Sequence, residues 1–413
     1  MPLYSYINLF RSYSNLLSFG FLLSFSSSFG QTYFIGVFGP SIQADFGLSH
    51  TLWGTIYLAG TLCSAAVLPW TGSLIDRLQL SSYNLIVGLC LVVACLVISL
   101  ASGVISLIFG IFLLRQFGQA LAPHIAATTM ARSFEAERGR ALAIATMGSA
   151  AGEACLPFVA VIAISIIGWR WTYVSSAILL GVFLVPLSIY LLQQSRVRSI
   201  KYAYSHNKCG NTDRTVRSWT RAEVLRNTRF YLLVPGYLAP SIVTTALFLH
   251  HLTLADAKGW SHSWITGNYI VYAASVVVSA LFSGPLIDKF RAVRLMPISL
   301  IPLIFALLLV ALSNHYQIVL PYMMLLGVCA GLVHTTAAAM WPELYGLKHL
   351  GAIKSIGVTL MVFGSALGPV TLGGLMDIGS SIETVCVLFS IYAVVSGILM
   401  YIAFWNLTTS RAS

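Results

Sequence analysis

The hydrophobic positions of this chain fall into long runs separated by short polar connections. A run of ~20 predominantly apolar residues is long enough, as helix, to cross the hydrocarbon core of a bilayer. Twelve such runs are present, over 15–40, 51–75, 83–101, 104–130, 140–164, 169–192, 230–253, 263–287, 293–313, 318–340, 352–376 and 384–405. Most connections between them are short, so neighbouring helices are expected to run antiparallel. The first run follows a single Arg11, lacks a small-residue cleavage site and is interrupted by Gln31, Thr32 and Tyr33; it reads as a retained helix, not a removed leader.

One polar interval is long. Residues 193–229 carry nine Lys and Arg against Asp213 and Glu223 and divide the twelve helices six and six. The expected organisation is an N-terminal six-helix bundle over 1–192, a basic cytoplasmic linker over 193–229 and a C-terminal bundle over 230–413. Within the linker, Thr220-Arg-Ala-Glu223 has the spacing of a capping box and predicts a short helix on the membrane surface before residue 230.

Composition excludes a soluble reading, because 58% of the 413 residues are hydrophobic and only 8% are charged, at a mean hydropathy of +0.85. Charge adds orientation. If the N-terminus is cytoplasmic, all 23 Lys and Arg except Arg115, Arg170 and Lys258 fall on the cytoplasmic side, as the positive-inside rule requires. Both termini are therefore expected in the cytoplasm of a bacterial inner-membrane protein. The net charge of +11 follows from that topology and from contact with anionic lipid heads, so no nucleic-acid partner is needed. Six of the seven cysteines lie in apolar runs and none has metal-ligand spacing, so neither a disulfide nor a metal is expected.

The two halves echo one another. Gly72-Ser-Leu-Ile-Asp-Arg77 closes the second run and Gly284-Pro-Leu-Ile-Asp-Lys289 closes the eighth, 212 residues later. His124 to Met130 matches His334 to Met340 at an offset of 210, and Gly148 to Pro157 parallels Gly364 to Gly373 at 216. Three echoes in order at a near-constant offset indicate an internal repeat. The expected fold is all-α, with twelve transmembrane helices in two pseudo-symmetric six-helix bundles.

Two six-helix halves in parallel repeat, joined by a basic loop, resemble the major facilitator superfamily of secondary transporters over essentially the whole chain. The Gly-x-Leu-x-Asp-Arg/Lys word after helix 2 and the Arg115-Gln-Phe-Gly118 stretch in helix 4 are similar to signatures of that family. Phe248 to His251 followed by Lys258-Gly-Trp260, with Pro342 to Gly346 and Gly351 to Lys354, look like its monocarboxylate and organic-anion branch. There are departures. Tyr269 to Ile287 holds none of the charge typical of helix 8 in monocarboxylate carriers, and Glu153 replaces the proline that drug antiporters carry after glycine in helix 5, while Gly368-Pro369 keeps it in helix 11.

A charge at the bilayer centre costs ~2.5–3.5 kcal/mol on insertion scales and marks a functional site by default. Arg115 in helix 4 and Glu153 in helix 5 both fall near mid-membrane, where they are expected to pair. The corresponding positions of the second half are near Gly327 and at Pro369, so the charges belong to one half only. As a site, Arg115 offers a planar fork to a carboxylate, Gln119 stands one turn on, and Glu153 takes up a proton when an anion captures the arginine. A structural pair fixing helix 4 to helix 5 is the alternative.

Further cavity candidates are Gln31 and Tyr33 in helix 1, Tyr57 in helix 2, His250 and His251 at the outer end of helix 7, where a histidine titrates near neutral pH, and Asn268, Tyr269 and Tyr272 in helix 8. His124 is out of phase with Arg115 and is excluded. Gly148, Gly152, Gly364 and Gly368, spaced by four, are read as close-packing residues. By resemblance, Gly72, Asp76, Arg77, Gly284, Asp288 and Lys289 form conformational latches in which the glycine permits close helix approach and the aspartate faces a helix N-terminus of the other bundle.

These residues point to an alternating-access transporter of a small organic anion such as a monocarboxylate, coupled to protons, monomeric and without cofactor. The alternative is proton-coupled efflux of drugs or metabolites. An enzyme or receptor is disfavoured, because no nucleophile elbow, nucleotide loop or signalling domain is present.

Overall fold

A computed structural model describes residues 2–134, 137–195, 219–346 and 348–409, and the side chains of all these except 2–8 and 405–409. Most of the linker, with Cys209 and Asp213, lies outside the described residues. Among the described residues the secondary structure is helical throughout, without strands. Among the described residues, ten helices are long and apolar enough to cross a membrane. The longest, Arg138–Gln194, holds the fifth and sixth runs joined across Gly168, whose φ of 77° and ψ of 165° belong to backbone that essentially only glycine adopts. The first run is not among the ten; it is broken into Pro2–Ser26, Ser27–Gly30, Thr32–Gly36 and Gly39–Phe46. Helices are numbered here by the twelve runs.

The outward surface is apolar in a way no soluble protein tolerates. Ile105, Leu281, Leu312 and Ile166 are each more than 70% exposed, on helices that bury their other faces. Such side chains meet lipid, and the chain is a multi-pass integral membrane protein.

The chain forms two compact units. One comprises residues 1–35, 59–156 and 162–214; the other comprises 36–58, 157–161 and 215–413. In the first, helix 1 (Pro2–Ser26) packs on the C-terminal part of helix 4 (Ala122–Ser133) and on the end of helix 6 (Val185–Gln194), while helix 3 (Leu80–Ser99) packs on helices 4 and 6. Its inner core is sealed by Leu17, Phe19, Tyr83, Ile125 and Met130. In the second, helix 7 (Thr228–Leu249) packs on helix 12 (Ile382–Thr409), and helix 9 (Ala292–Ile298 with Ile301–Leu312) packs on helix 10 (Val319–Tyr345) and helix 12. Pairs 1–6, 3–4 and 3–6 thus recur as 7–12, 9–10 and 9–12, which is the internal repeat expressed as packing.

The capping box forms as expected. Glu223 N–H donates to Thr220 Oγ1 at 3.4 Å and Thr220 N–H to Glu223 Oε2 at 2.7 Å, starting the helix Arg221–Arg226. Trp219 N–H donates to Tyr345 O at 2.9 Å, tying the end of the linker to helix 10.

Arg170 and Lys258 both satisfy groups at helix ends. Arg170 donates to Ser99 O and Ala101 O at 2.9 and 2.8 Å, at the C-terminus of helix 3. Lys258 Nζ pairs with Glu383 at 2.7 Å and donates to Asn314 Oδ1 at 2.6 Å.

Candidate functional site

Helix 1 breaks where its sequence stops favouring helix. Ser26 and Ser27 turn their hydroxyls back onto Leu22 O and Ser24 O, at 2.8 and 2.6 Å, and compete with the backbone ladder. A tight turn follows over Ser27–Gly30, Gln31 is extended at φ −84° and ψ 155°, and helix resumes at Thr32. Opposite the break, helix 4 widens into π-helix over Leu114–Leu121, a distortion common at functional sites. The two irregular segments meet backbone to backbone. A Cβ on Gly30 would lie 2.1 Å from Leu114 O, and one on Gly118 would lie 2.7 Å from Gly30 Cα.

Arg115 projects from the π-helical segment and is buried, with 2% exposure. Its guanidinium donates to Gly30 O and to Thr32 Oγ1, both at 3.4 Å. Glu153 approaches the same break from helix 5, set in place by the glycines before it: a Cβ on Gly152 would lie 2.0 Å from Ser28 Oγ, and one on Gly148 the same distance from Phe21 O. Tyr33 donates to Ser28 Oγ at 2.8 Å, and the Glu153 carboxylate stands within electrostatic reach of its phenol. Gln31 and Gln119 are half-buried, and the Gln119 backbone lies against Gly30. Gln31, Tyr33, Arg115, Gln119 and Glu153 are therefore gathered round one discontinuity. The Arg115–Glu153 ion pair expected from depth is not formed: Glu153 enters no ion pair among the described residues.

Gln116 was not singled out by the sequence. It accepts from Ser64 Oγ at 2.9 Å and donates to Thr71 Oγ1 at 2.7 Å, fixing helix 4 to helix 2 beside Arg115. Its only sequence signal is an amide next to the intramembrane arginine.

Lower on helix 4, His124, Thr128 and Arg132 line a separate cavity of about 400 Å³ with Gly72, Ser73 and Asp76. His124 thus lies apart from the Arg115 cluster, as its phase predicts. Asp76 accepts from Arg132 in the last turn of helix 4. In the second half the corresponding junction is made with charges exchanged: Arg291, in the loop after helix 8, donates to Glu343 on helix 10 at 2.6 Å. Asp288 and Lys289 are exposed, with Lys289 Nζ 5.1 Å from the centre of the Phe290 ring, and Arg77 is exposed at the end of the turn Leu74–Asp76. The glycines of the two words do not serve close approach. A Cβ on Gly284 would meet nothing within 4 Å, and one on Gly72 only ordinary contacts, whereas Gly148 and Gly368 lie against backbone and Gly152 against the Ser28 side chain.

The second unit holds the remaining candidates. His250 breaks helix 7 at φ −106° and ψ 21°, and His251 starts the segment His251–Lys258. Both rings are sealed from solvent. His251 Nδ1 lies 2.7 Å from the Tyr269 hydroxyl and Nε2 lies 3.1 Å from that of Tyr322, so a neutral imidazole donates to one and accepts from the other. Phe248 meets the edges or faces of His251, Tyr269 and Tyr272 at 5.1–5.4 Å. Asn268 Nδ2 donates to Trp264 O at 2.8 Å at the joint between His262–Gly267 and Tyr269–Phe290, and Tyr57 is fully buried.

The family model described as the Major Facilitator Superfamily matches residues 20–277 and 248–412. The chain belongs to the major facilitator superfamily. Solved relatives share its fold at low identity. A bacterial homologue of the human lysosomal transporter Spinster, in an inward-facing and occupied conformation, is 16% identical with a TM-score of 0.69, over 95% of this chain and 97% of that one. The nucleoside transporter NupG is 12% identical with a TM-score of 0.72, over 94% and 99%. No curated protein matches the sequence. A major facilitator fold is a transporter's fold and implies a small-molecule substrate. Broken helices at membrane depth are where such folds build their sites, because freed backbone and half-helix ends are tolerated only against protein or a cavity.

Proposed function

We propose that this chain is a secondary active transporter carrying a small organic anion, with a monocarboxylate as the preferred class, across a bacterial inner membrane in symport with protons. The reading rests on the buried Arg115 guanidinium held by 3.4 Å contacts to Gly30 O and Thr32 Oγ1 at the break in helix 1. A carboxylate offers that planar fork two parallel charge-assisted bonds of about 2.7–2.9 Å, a stronger set than a carbonyl and a hydroxyl at longer range. Glu153, on the other side of the same break, is the coupling group: an anion at Arg115 makes a second negative charge nearby unfavourable, so anion and proton enter together. Gln31, Tyr33 and Gln119 supply orienting hydrogen bonds. The bundles 1–192 and 230–413 rock about this site, joined by the linker 193–229, as a monomer in lipid.

Proton-coupled efflux of drugs or metabolites is the second reading, supported by Gly368-Pro369 in helix 11, where Gly368 lies against the Ile242 backbone. Purified protein in liposomes separates the two. An inward proton gradient is expected to drive accumulation of a radiolabelled monocarboxylate. Arg115→Ala should lower it about tenfold or more, the scale of one lost charge-assisted contact. Glu153→Gln should abolish gradient-driven accumulation while sparing exchange. If Glu153→Gln keeps uphill uptake with unchanged pH dependence, the coupling role is wrong; if carboxylates neither enter nor compete while cationic or neutral drugs are expelled, efflux replaces uptake.

A further inference from the structure

The resemblance places its latches at the cytoplasmic ends of helices 2 and 8, with an aspartate facing a helix N-terminus. In the structure a carboxylate does cap a helix from a distant segment, but at the opposite end of helix 2. Asp377, the last residue of helix 11 (Leu350–Asp377), accepts from the backbone N–H groups of His50 and Thr51 at 3.0 and 2.7 Å. These are the first two residues of helix 2 (His50–Ser73), whose N–H groups have no partner within the helix. Ser49 Oγ accepts from Leu52 N–H at 3.2 Å, so that terminus is capped both locally and from 327 residues away.

The cap sits on a seam of glycine contacts. A Cβ on Gly373 would lie 2.4 Å from His50 O, and one on Gly54 would lie 2.8 Å from Pro369 O. Pro369 O also lies 3.2 Å from His250 Nε2, and the rings of His250 and His50 stand 6.0 Å apart, edge to face. On helix 1, a Cβ on Gly36 would lie 2.1 Å from Phe248 O. The outer segment 36–58 accordingly belongs to the compact unit of residues 215–413, apart from the rest of its own helices.

We infer that Asp377 is the latch of an outer gate: it holds the start of helix 2 to the end of helix 11 while the outer side is closed, and must let go for that side to open. Two backbone donors and the positive end of the helix 2 dipole converge on one carboxylate, giving a contact that is strong when aligned and lost within one turn of displacement. Glycines at 54 and 373 allow the backbones to touch, so closure is an all-or-none fit of surfaces and not a gradual approach. The cytoplasmic word carries the analogous aspartate, Asp76, which accepts here from Arg132. The inference rests on the alternating access proposed above, but its test requires no substrate.

Spin labels on cysteines at the exposed positions Ala44 and Ile378, in full-length protein whose seven native cysteines are replaced, report the separation of the two outer ends. Pulsed dipolar measurement in nanodiscs is expected to give mainly one short distance. Asp377→Ala should raise a second, longer distance about tenfold in population, as loss of a helix cap and its dipole term implies. Asp377→Asn, which keeps an acceptor without the charge, should fall between. Gly373→Val should act in the same direction by wedging the seam. A purely structural cap would lower the unfolding temperature of Asp377→Ala and leave its distances unchanged, and that result overturns the latch. So does a shift with Gly373→Val alone, which would assign closure to packing without Asp377. Loss of carboxylate transport in the unlabelled protein, with the distance shifts intact, would instead remove the substrate reading and leave the latch standing.

Discussion

Gly30 carries the site through what it lacks. Its missing side chain lets the break in helix 1 lie on the Leu114 carbonyl, and that contact sets the angle from which Arg115 reaches Gly30 O and Thr32. Gly30→Ala would place a methyl 2.1 Å from backbone that cannot retreat, so we expect destabilisation of about 1–3 kcal/mol, the range for overpacking. Gly284→Ala tests the converse. That glycine is helical and its Cβ would meet nothing within 4 Å, so alanine should stabilise by about 0.5–1 kcal/mol. Unfolding curves of the two variants in one detergent should therefore move in opposite directions; parallel shifts would contradict this reading of both positions. Legibility at this scale was uneven. Arg115 and Glu153 stood out because charge is scarce in apolar sequence, but the partners of Arg115 did not, since hydrogen bonds to Gly30 O and Thr32 depend on where helix 1 breaks. Gln116 was missed for the same reason: its bonds run to helix 2, over 40 residues away in the chain.

Helices were legible wherever their signals are local. The apolar runs, the Thr220–Glu223 capping box and the interruption at Gln31 to Tyr33 all reappear, because each reflects a chain segment meeting lipid or its own backbone. The repeated words predicted something finer, matching latches, and the structure shows matching junctions built with opposite chemistry. Asp76 takes Arg132 in one half, and Glu343 takes Arg291 in the other. The spelling was duplicated while the partner was not, and a partner two helices away leaves no trace in a six-residue word. Both sides of the Asp76–Arg132 pair are substantially exposed, at 60% and 38%, so it should be worth no more than about 1 kcal/mol. Reversing one member by Asp76→Arg or Arg132→Asp should lower the unfolding temperature slightly. The double reversal should restore most of it, and a double variant worse than either single one would argue that the two side chains do not interact.

For the whole molecule, the distribution of Lys and Arg is the strongest evidence for orientation, since it draws on 23 residues and not on any one contact. A fluorescent protein fused after residue 409 is expected to fluoresce, and alkaline phosphatase inserted beside Arg170 or Lys258 is expected to be active; the inverse pattern would reverse the topology. In the structure Arg170 donates to carbonyls at the end of helix 3 and Lys258 pairs with Glu383 at the start of helix 12.

By itself the sequence determined the class, a helical multi-pass membrane protein, and the family resemblance. Those follow from hydrophobic length, charge asymmetry and repetition, which are summed over many residues and survive any local error. The tertiary structure alone decided that Arg115 and Glu153 meet a break in helix 1 instead of each other, that His251 is sealed into a hydrogen-bonded aromatic cluster and His250 against Pro369 O, and that residues 36–58 pack with the second half. Each depends on the approach of backbones far apart in sequence, permitted by glycines at particular positions, and a single contact of that kind has no periodicity for the sequence to display.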